Sequence, residues 1–267
     1  MKFYSLLFQS LKIYDILISD IFRSFGGSTE TSLSETTGES GMIAALMSDP
    51  KKLFTVLAIY AAAAIIGYLA GGFSLSYILA RRRGFDIRKT GTKNAGASNA
   101  AVTMGWKIGV LVGACDIFKG FAAVLAVKLI CRAAFPALAS ELSVIGVVTG
   151  IFCVIGHMHP AYLRFRGGKG FATYLGMILG IDWKFFLIVG VLIILVSLLS
   201  DYIVMGTMVT MVSFPVYNIL WRKSAVAAIV TATLSLYIIY RHRKNLDDIL
   251  HGRERRISGL YKKKKEQ

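Results

Sequence analysis

Hydrophobic residues in this chain come in long blocks. They do not alternate as in a half-buried strand, and they do not form the one-sided stripe of a surface helix. Blocks cover residues 53–79, 107–130 and 142–155, and from Phe171 an almost unbroken apolar run reaches Tyr240. Breaks at 180–182, 200–201 and 218–224 divide that run into four segments, the first of them short. A bilayer core offers no water to a peptide group, so apolar segments of this length cross it as helices that satisfy their own backbone. The pattern predicts an all-α polytopic integral membrane protein with about seven transmembrane helices.

The polar stretches set orientation and limits. The first block ends at Arg81-Arg82-Arg83, and basic residues gather again at 84–99, at 164–169 and from Arg241 onward, which places those ends in the cytoplasm. The N-terminal side is then predicted outside and the C-terminus cytoplasmic, with Arg222 and Lys223 on the outer face against the trend. Residues 1–25 are apolar but interrupted by Lys12, Asp15 and Asp20, and have no small-residue cleavage site; they read as an amphipathic segment, not a signal peptide. Residues 26–50 read as a polar disordered linker, 51–257 as the membrane domain and 258–267 as a basic cytoplasmic tail. Met42 follows the polar tract as an alternative start, so the first 41 residues are expected to be dispensable.

Composition changes this picture little. The 267 residues carry a formal net charge of +16 and a mean hydropathy of +0.60. Because the charge sits in short loops and the tail, it points to lipid headgroups and anionic substrates and not to nucleic acid. Cys115, Cys131 and Cys153 fall in or beside apolar segments and read as small buried residues without a disulfide.

The candidate chemistry lies in the loops. Residues 156–174, GHMHPAYLRFRGGKGFATY, join two apolar blocks through a Gly-Gly-Lys-Gly turn. A glycine-rich turn that opens a helix presents free N–H groups at the positive end of the helix dipole, and with Lys169 in it and Arg164 and Arg166 before it, it suits a phosphate. The loop 84–99, GFDIRKTGTKNAGASN, combines Arg88, Lys89 and Lys93 with turn-forming Gly91 and Gly96 and with Thr92, Asn94, Ser98 and Asn99. An ordinary basic cytoplasmic loop explains it equally well, but two phosphate-suited loops on one predicted face say more than either alone. Asp116 and Lys119, three apart inside a span, form either part of a site or an ion pair that orients the helix. His242 and Asn245 share a face if the last helix continues, and Thr207 stands within two turns of the inward break at 200–201. His157 and His159 lack a carboxylate or thiolate partner in sequence, so no metal or cofactor is expected, and no Ser-His-Asp or Cys-His set is found.

The segments GFDIRKTGTKNAGASNA, DIFKG, GHMHPAYLRFRGGKGFAT and IYRHRKNLDDILHGRERRI, in that order, resemble the signatures of the bacterial acyl-phosphate:glycerol-3-phosphate acyltransferase family, PlsY, over residues 70–257. The resemblance implies a seven-helix enzyme of the bacterial plasma membrane. It would transfer an acyl group from acyl phosphate to the 1-hydroxyl of glycerol 3-phosphate, giving lysophosphatidate and phosphate, with membrane lipid and the soluble enzyme that makes acyl phosphate as further partners. It implies catalytic roles for His242, Asn245, Lys169 and Thr207. It places Arg88, Gly91, Thr92, Asn94, Ser98, Asn99, Lys119, His157, Gly167, Gly168, Lys169 and Gly170 around substrate phosphate. An acyl phosphate is already activated, so such a site needs orientation and charge stabilisation more than a nucleophile of its own.

The chain departs from the family pattern at Gly71-Gly72, where Gly-Ser is usual, and at Gly91-Thr92 and Ala97-Ser98-Asn99, which keep a hydroxyl. The larger departure is Val102 in place of an arginine. An unreplaced charge-assisted bond to phosphate is worth roughly 1.5–3 kcal/mol, with Lys93 and Lys107 as candidate replacements. Two other readings fit parts of the chain: a non-catalytic membrane protein that binds phosphate or phospholipid, favoured by Val102, and a thioester-dependent glycerolipid acyltransferase, since His242 to Asp247 spells HxxxxD.

Overall fold

The computed structural model describes residues 50–259; the amphipathic N-terminal segment, nearly all of the linker and most of the tail lie outside the described residues. The chain divides into two units, Met1–Ala58 and Ile59–Gln267. Of the first, residues 50–58 are described and are helical. The site lies in the second.

The helices are α1 (Pro50–Gly72), α2 (Leu75–Arg82), α3 (Ala97–Met104), α4 (Trp106–Ala134), α5 (Leu142–Met158), α6 (Phe171–Ile181), α7 (Trp183–Ser200), α8 (Ile203–Leu220), α9 (Ala225–Arg241) and α10 (Arg243–Leu250), with short 3-10 turns at Pro136–Glu141 and Ala161–Leu163. Among the described residues five passages are long and apolar enough to cross a membrane: Pro50–Arg82, Trp106–Ala134, Leu142–Leu163, Trp183–Ser200 and Ile203–Leu220. The pair α9 and α10 qualifies when taken together across a bend of 52°, and α6 is a shorter apolar helix. Every predicted apolar block is helical, although the first, 53–79, is broken at Phe73-Ser74 into α1 and α2, and the protein is a multi-pass membrane protein. Two helices were not predicted: α3, which lies mostly beyond the polar loop, and α10. The last helix does not continue as one rod. It bends at His242, whose N–H is shared between the carbonyls of Ile238 and Ile239.

Burial is arranged for lipid. On α7, Leu187, Ile188, Val191, Ile194, Leu195, Leu198 and Leu199 face outward, while Thr149, Thr173, Thr210, Asn218, Thr231 and Ser235 are buried between helices. Lipid tails solvate leucine as well as a protein interior does, so close packing and internal hydrogen bonds hold the bundle instead. The Tyr174 hydroxyl meets Ser235 Oγ at 2.8 Å, and Asn218 Nδ2 donates to the Phe214 carbonyl at 2.9 Å. The extensive contact between α4 and α6 depends on missing side chains: a Cβ on Gly176 would overlap the Ile117 carbonyl, and one on Gly120 would press on the Thr173 carbonyl. This contact fixes the start of α6, where the Gly-Gly-Lys-Gly turn ends.

Candidate functional site

The two phosphate-suited loops meet. Ala95 N–H donates to the Gly167 carbonyl at 3.3 Å, and Gly96 lies alongside Gly168. Asn99 shapes the first loop. The two N–H groups of its buried amide are shared among the carbonyls of Ile87 (2.8 Å), Thr90 (3.0 Å) and Asn94 (2.7 Å), and its Oδ1 accepts from Thr92 N–H at 2.7 Å. Gly91 (φ 61°) is required where it is, because a Cβ there would overlap Asn99 Oδ1. The second loop folds back on α5: Gly167 N–H donates to the Met158 carbonyl (3.0 Å) and Gly168 N–H to the His157 carbonyl (3.1 Å). Gly170 (φ 97°) then starts α6 without a side-chain cap, which leaves the first N–H groups of that helix for an anion.

The C-terminal residues close over this turn. Lys169 Nζ donates to Asn245 Oδ1, and Asn245 Nδ2 donates to both oxygens of Glu254 (3.0 and 3.1 Å). Arg241 Nη2 donates to the Gly168 carbonyl at 2.8 Å. His159 lies between Phe165 O (3.1 Å) and the Tyr237 hydroxyl (2.6 Å), and the Tyr68 hydroxyl holds its carbonyl at 2.8 Å. Burial pulls the Lys169 ammonium below the usual lysine range; Glu254 pushes it back up, and Arg241 and Lys244 pull it down again. His242, just past α9, is buried beside Lys169. Its Nδ1 faces the Ile238 carbonyl at 2.9 Å and must donate there, which leaves the Nε2 lone pair free to accept. Beyond Glu254 the chain is clasped to the turn between α7 and α8: Ile257 N–H donates to the Asp201 carbonyl (2.9 Å), and Ser258 donates through N–H (2.7 Å) and Oγ (2.6 Å) to the Asp201 carboxylate.

The predicted residues sort into those that line this site and those that hold it. Lys169, His242, Asn245, Gly167, Gly168 and Gly170 come together, with Gly91, Thr92, Asn94 and Ser98 on the adjoining loop. Asn99 and Arg88, expected on phosphate, are committed elsewhere. The Arg88 guanidinium bonds both oxygens of Asp86 (2.9 and 2.7 Å) and the Leu163 carbonyl (2.7 Å). Arg88, Arg164 and Arg166 face a separate cavity of about 450 Å³ with Tyr77 and Tyr162. Lys119 has no donor left for a ligand: its three N–H groups go to Asp116 (2.8 Å), His157 Nδ1 (2.8 Å) and the Phe73 carbonyl (2.7 Å). The histidine pair does gain a carboxylate in space, since Asp116 Oδ1 lies 3.4 Å from His157, but His159 points away to Tyr237. Thr207 is buried on α8, and among the described residues no hydrogen bond joins it to Lys169, His242 or Asn245.

Val102 is exposed on α3. Lys107 lies over the Trp106 ring at 5.9 Å, and Lys93 is exposed with a left-handed backbone (φ 57°). Asp247 pairs with Arg253 (2.7 Å) and with His251 (3.3 Å), not with His242, so HxxxxD is an accident of spelling. Sequence reasoning missed Glu254 and gave Arg241 no role. The signal for Glu254 was one carboxylate alone in GRERRI, and for Arg241 its place between the last span and His242.

Fold and site together define a class: a polytopic helical membrane protein in which a glycine-rich turn carrying Lys169 meets Arg241 and Asn245. Residues 61–252 match the glycerol-3-phosphate acyltransferase family, and the chain belongs to that family. It is 35% identical over 207 residues to glycerol-3-phosphate acyltransferase 1 of Oceanobacillus iheyensis, covering 77% of this chain and 98% of the relative. It is 36% identical over 199 residues to the Clostridioides difficile enzyme of that name, covering 74% and 95%. Among solved structures it resembles the integral membrane glycerol 3-phosphate acyltransferase PlsY in its glycerol 3-phosphate form, with a TM-score of 0.64 and 30% identity over 76% of this chain and 97% of that one. For the lysophosphatidic acid form of PlsY the TM-score is 0.60, over 74% and 94%.

Proposed function

We propose that this chain transfers an acyl group from acyl phosphate to the 1-hydroxyl of glycerol 3-phosphate, giving lysophosphatidate and phosphate in the first acylation of phospholipid synthesis. Glycerol-3-phosphate acylation is the activity its family is named for. The observation that carries the reading to these residues is the junction of Lys169, Asn245 and His242 above the 167–170 turn. Lys169 and the free N–H groups at the start of α6 hold substrate phosphate; Thr92, Asn94 and Ser98 bound the other side. The hydroxyl oxygen attacks the acyl carbonyl carbon, the carbon–oxygen bond to phosphate breaks, and the phosphate leaves. With its Nδ1 committed to the Ile238 carbonyl, His242 orients the hydroxyl by accepting its hydrogen bond at Nε2, and a phosphate oxygen, with an ordinary second pKa near 6, takes the proton. No acyl-enzyme forms. The enzyme lies in the bacterial plasma membrane in seven crossings, N-terminal side outside, with its site facing the cytoplasm and the soluble source of acyl phosphate.

The test is acyl transfer by the purified full chain, with glycerol 3-phosphate offered alongside acyl phosphate, acyl-CoA or acyl-carrier protein. Lysophosphatidate and equimolar phosphate from acyl phosphate alone are expected. Turnover with a thioester donor only, or none with any donor in folded protein, would overturn the reading.

A further inference from the structure

Beneath the turn lies a buried charged cluster that the reaction above does not use. Asp116 and Lys119 on α4 are 3% and 7% exposed, and His157 in the last turn of α5 is 5% exposed. Lys119 Nζ joins all of it, reaching Asp116 Oδ1 at 2.8 Å, His157 Nδ1 at 2.8 Å and the Phe73 carbonyl, in the break between α1 and α2, at 2.7 Å. An ammonium can only donate, so His157 Nδ1 is the acceptor and the imidazole proton sits on Nε2. The cluster is then neutral overall, one carboxylate against one ammonium, as a buried group between membrane helices must be.

Its far edge is the turn itself. A Cβ on Gly168 would overlap His157 Nε2, and one on Gly167 would overlap the His157 carbonyl. Gly168 N–H is bonded to that same carbonyl at 3.1 Å, and Lys169 is the next residue. The ring of His157 is the floor on which the turn rests, and Lys119 ties that floor to α4 and to the α1–α2 break.

We infer that Asp116, Lys119 and His157 are positioning residues. They set the height and register of the 167–170 turn, and through it Lys169, without touching substrate. This rests on the proposed reading of Lys169 as the phosphate ligand. A displacement of about 1 Å at such a site lowers turnover by about a hundredfold.

The test is a double-mutant cycle on the full chain in lipid nanodiscs, with Gly168→Ala, His157→Ala and the pair, each normalised to folded protein. If the ring is the floor, Gly168→Ala and His157→Ala each lower kcat by about a hundredfold, and the pair loses little more than the worse single variant, because the ring that the new methyl overlaps is gone. If His157 instead ligates phosphate independently of the turn, the losses multiply to about ten-thousandfold and the inference fails. Should His157→Ala not fold, His157→Asn, which keeps an acceptor towards Lys119, replaces it with the same two outcomes. Wild-type turnover in the same preparations judges the proposed reaction separately. The cycle is also read without acyl transfer, as the rise in Tm caused by glycerol 3-phosphate, in which the same coupling is expected and its absence overturns the inference.

Discussion

At the scale of single residues, the site gathers Lys169 and Arg241 at one glycine-rich turn, which on the proposed reading holds an anion. Lys169→Ala is expected to reduce turnover to background in folded protein; a rate near wild type would remove Lys169 from the mechanism. Asn245→Ala should lose about a hundredfold, as lost positioning does, read from kcat on detergent-purified protein. The alkaline limb of kcat/KM is expected to follow Lys169, whose burial pulls its ammonium below the usual lysine range, so that activity should fall as pH rises through that lowered value. Glu254 pushes the same group up, so Glu254→Gln should move the limb further towards neutrality, and an unmoved limb would show that another group sets it. Residue types were legible in the sequence, but their commitments were not. Lys119, Arg88 and Asn99 look like free phosphate ligands in the one-dimensional chain. Their donors are taken by Phe73, Leu163 and Ile87 carbonyls, which lie 46, 75 and 12 residues away in sequence.

At the scale of elements, the blocks of the hydrophobic pattern became helices because a continuous apolar run has no other solution in a bilayer. The pattern shows where a helix lies but not how closely two approach. That is decided by residues such as Gly176, which bears no side chain so that α6 can lie on the Ile117 carbonyl of α4. Gly176→Val should destabilise the bundle by about 1–3 kcal/mol, as overpacking does, whereas Gly190→Val, on open surface, should change the unfolding temperature in detergent little. Equal effects would mean that this helix pair is not the tight one. The bend at His242 was not legible either, since a histidine between two helix-forming stretches carries no breaker signal. It arises from the hydrogen bonds of its backbone and ring to α9.

At the scale of the whole molecule, the proposed crossing pattern puts the 84–99 loop and the tail inside and the Arg222-Lys223 turn outside. In a background without Cys115, Cys131 and Cys153, Lys93→Cys and Arg255→Cys should react only with a reagent admitted to the cytoplasmic side, and Lys223→Cys with one added outside. Labelling of Lys223→Cys from within would revise the topology. The clasp of Ile257 and Ser258 on Asp201 has a consequence for how the protein is made. The turn around Lys169 leaves the ribosome first, while Asn245 and Glu254, which close over it, are translated 76 and 85 residues later. A nascent chain already threaded through the bilayer therefore displays that turn uncovered, and on the proposed reading it is expected to acquire activity only when the segment that latches onto Asp201 has been synthesised.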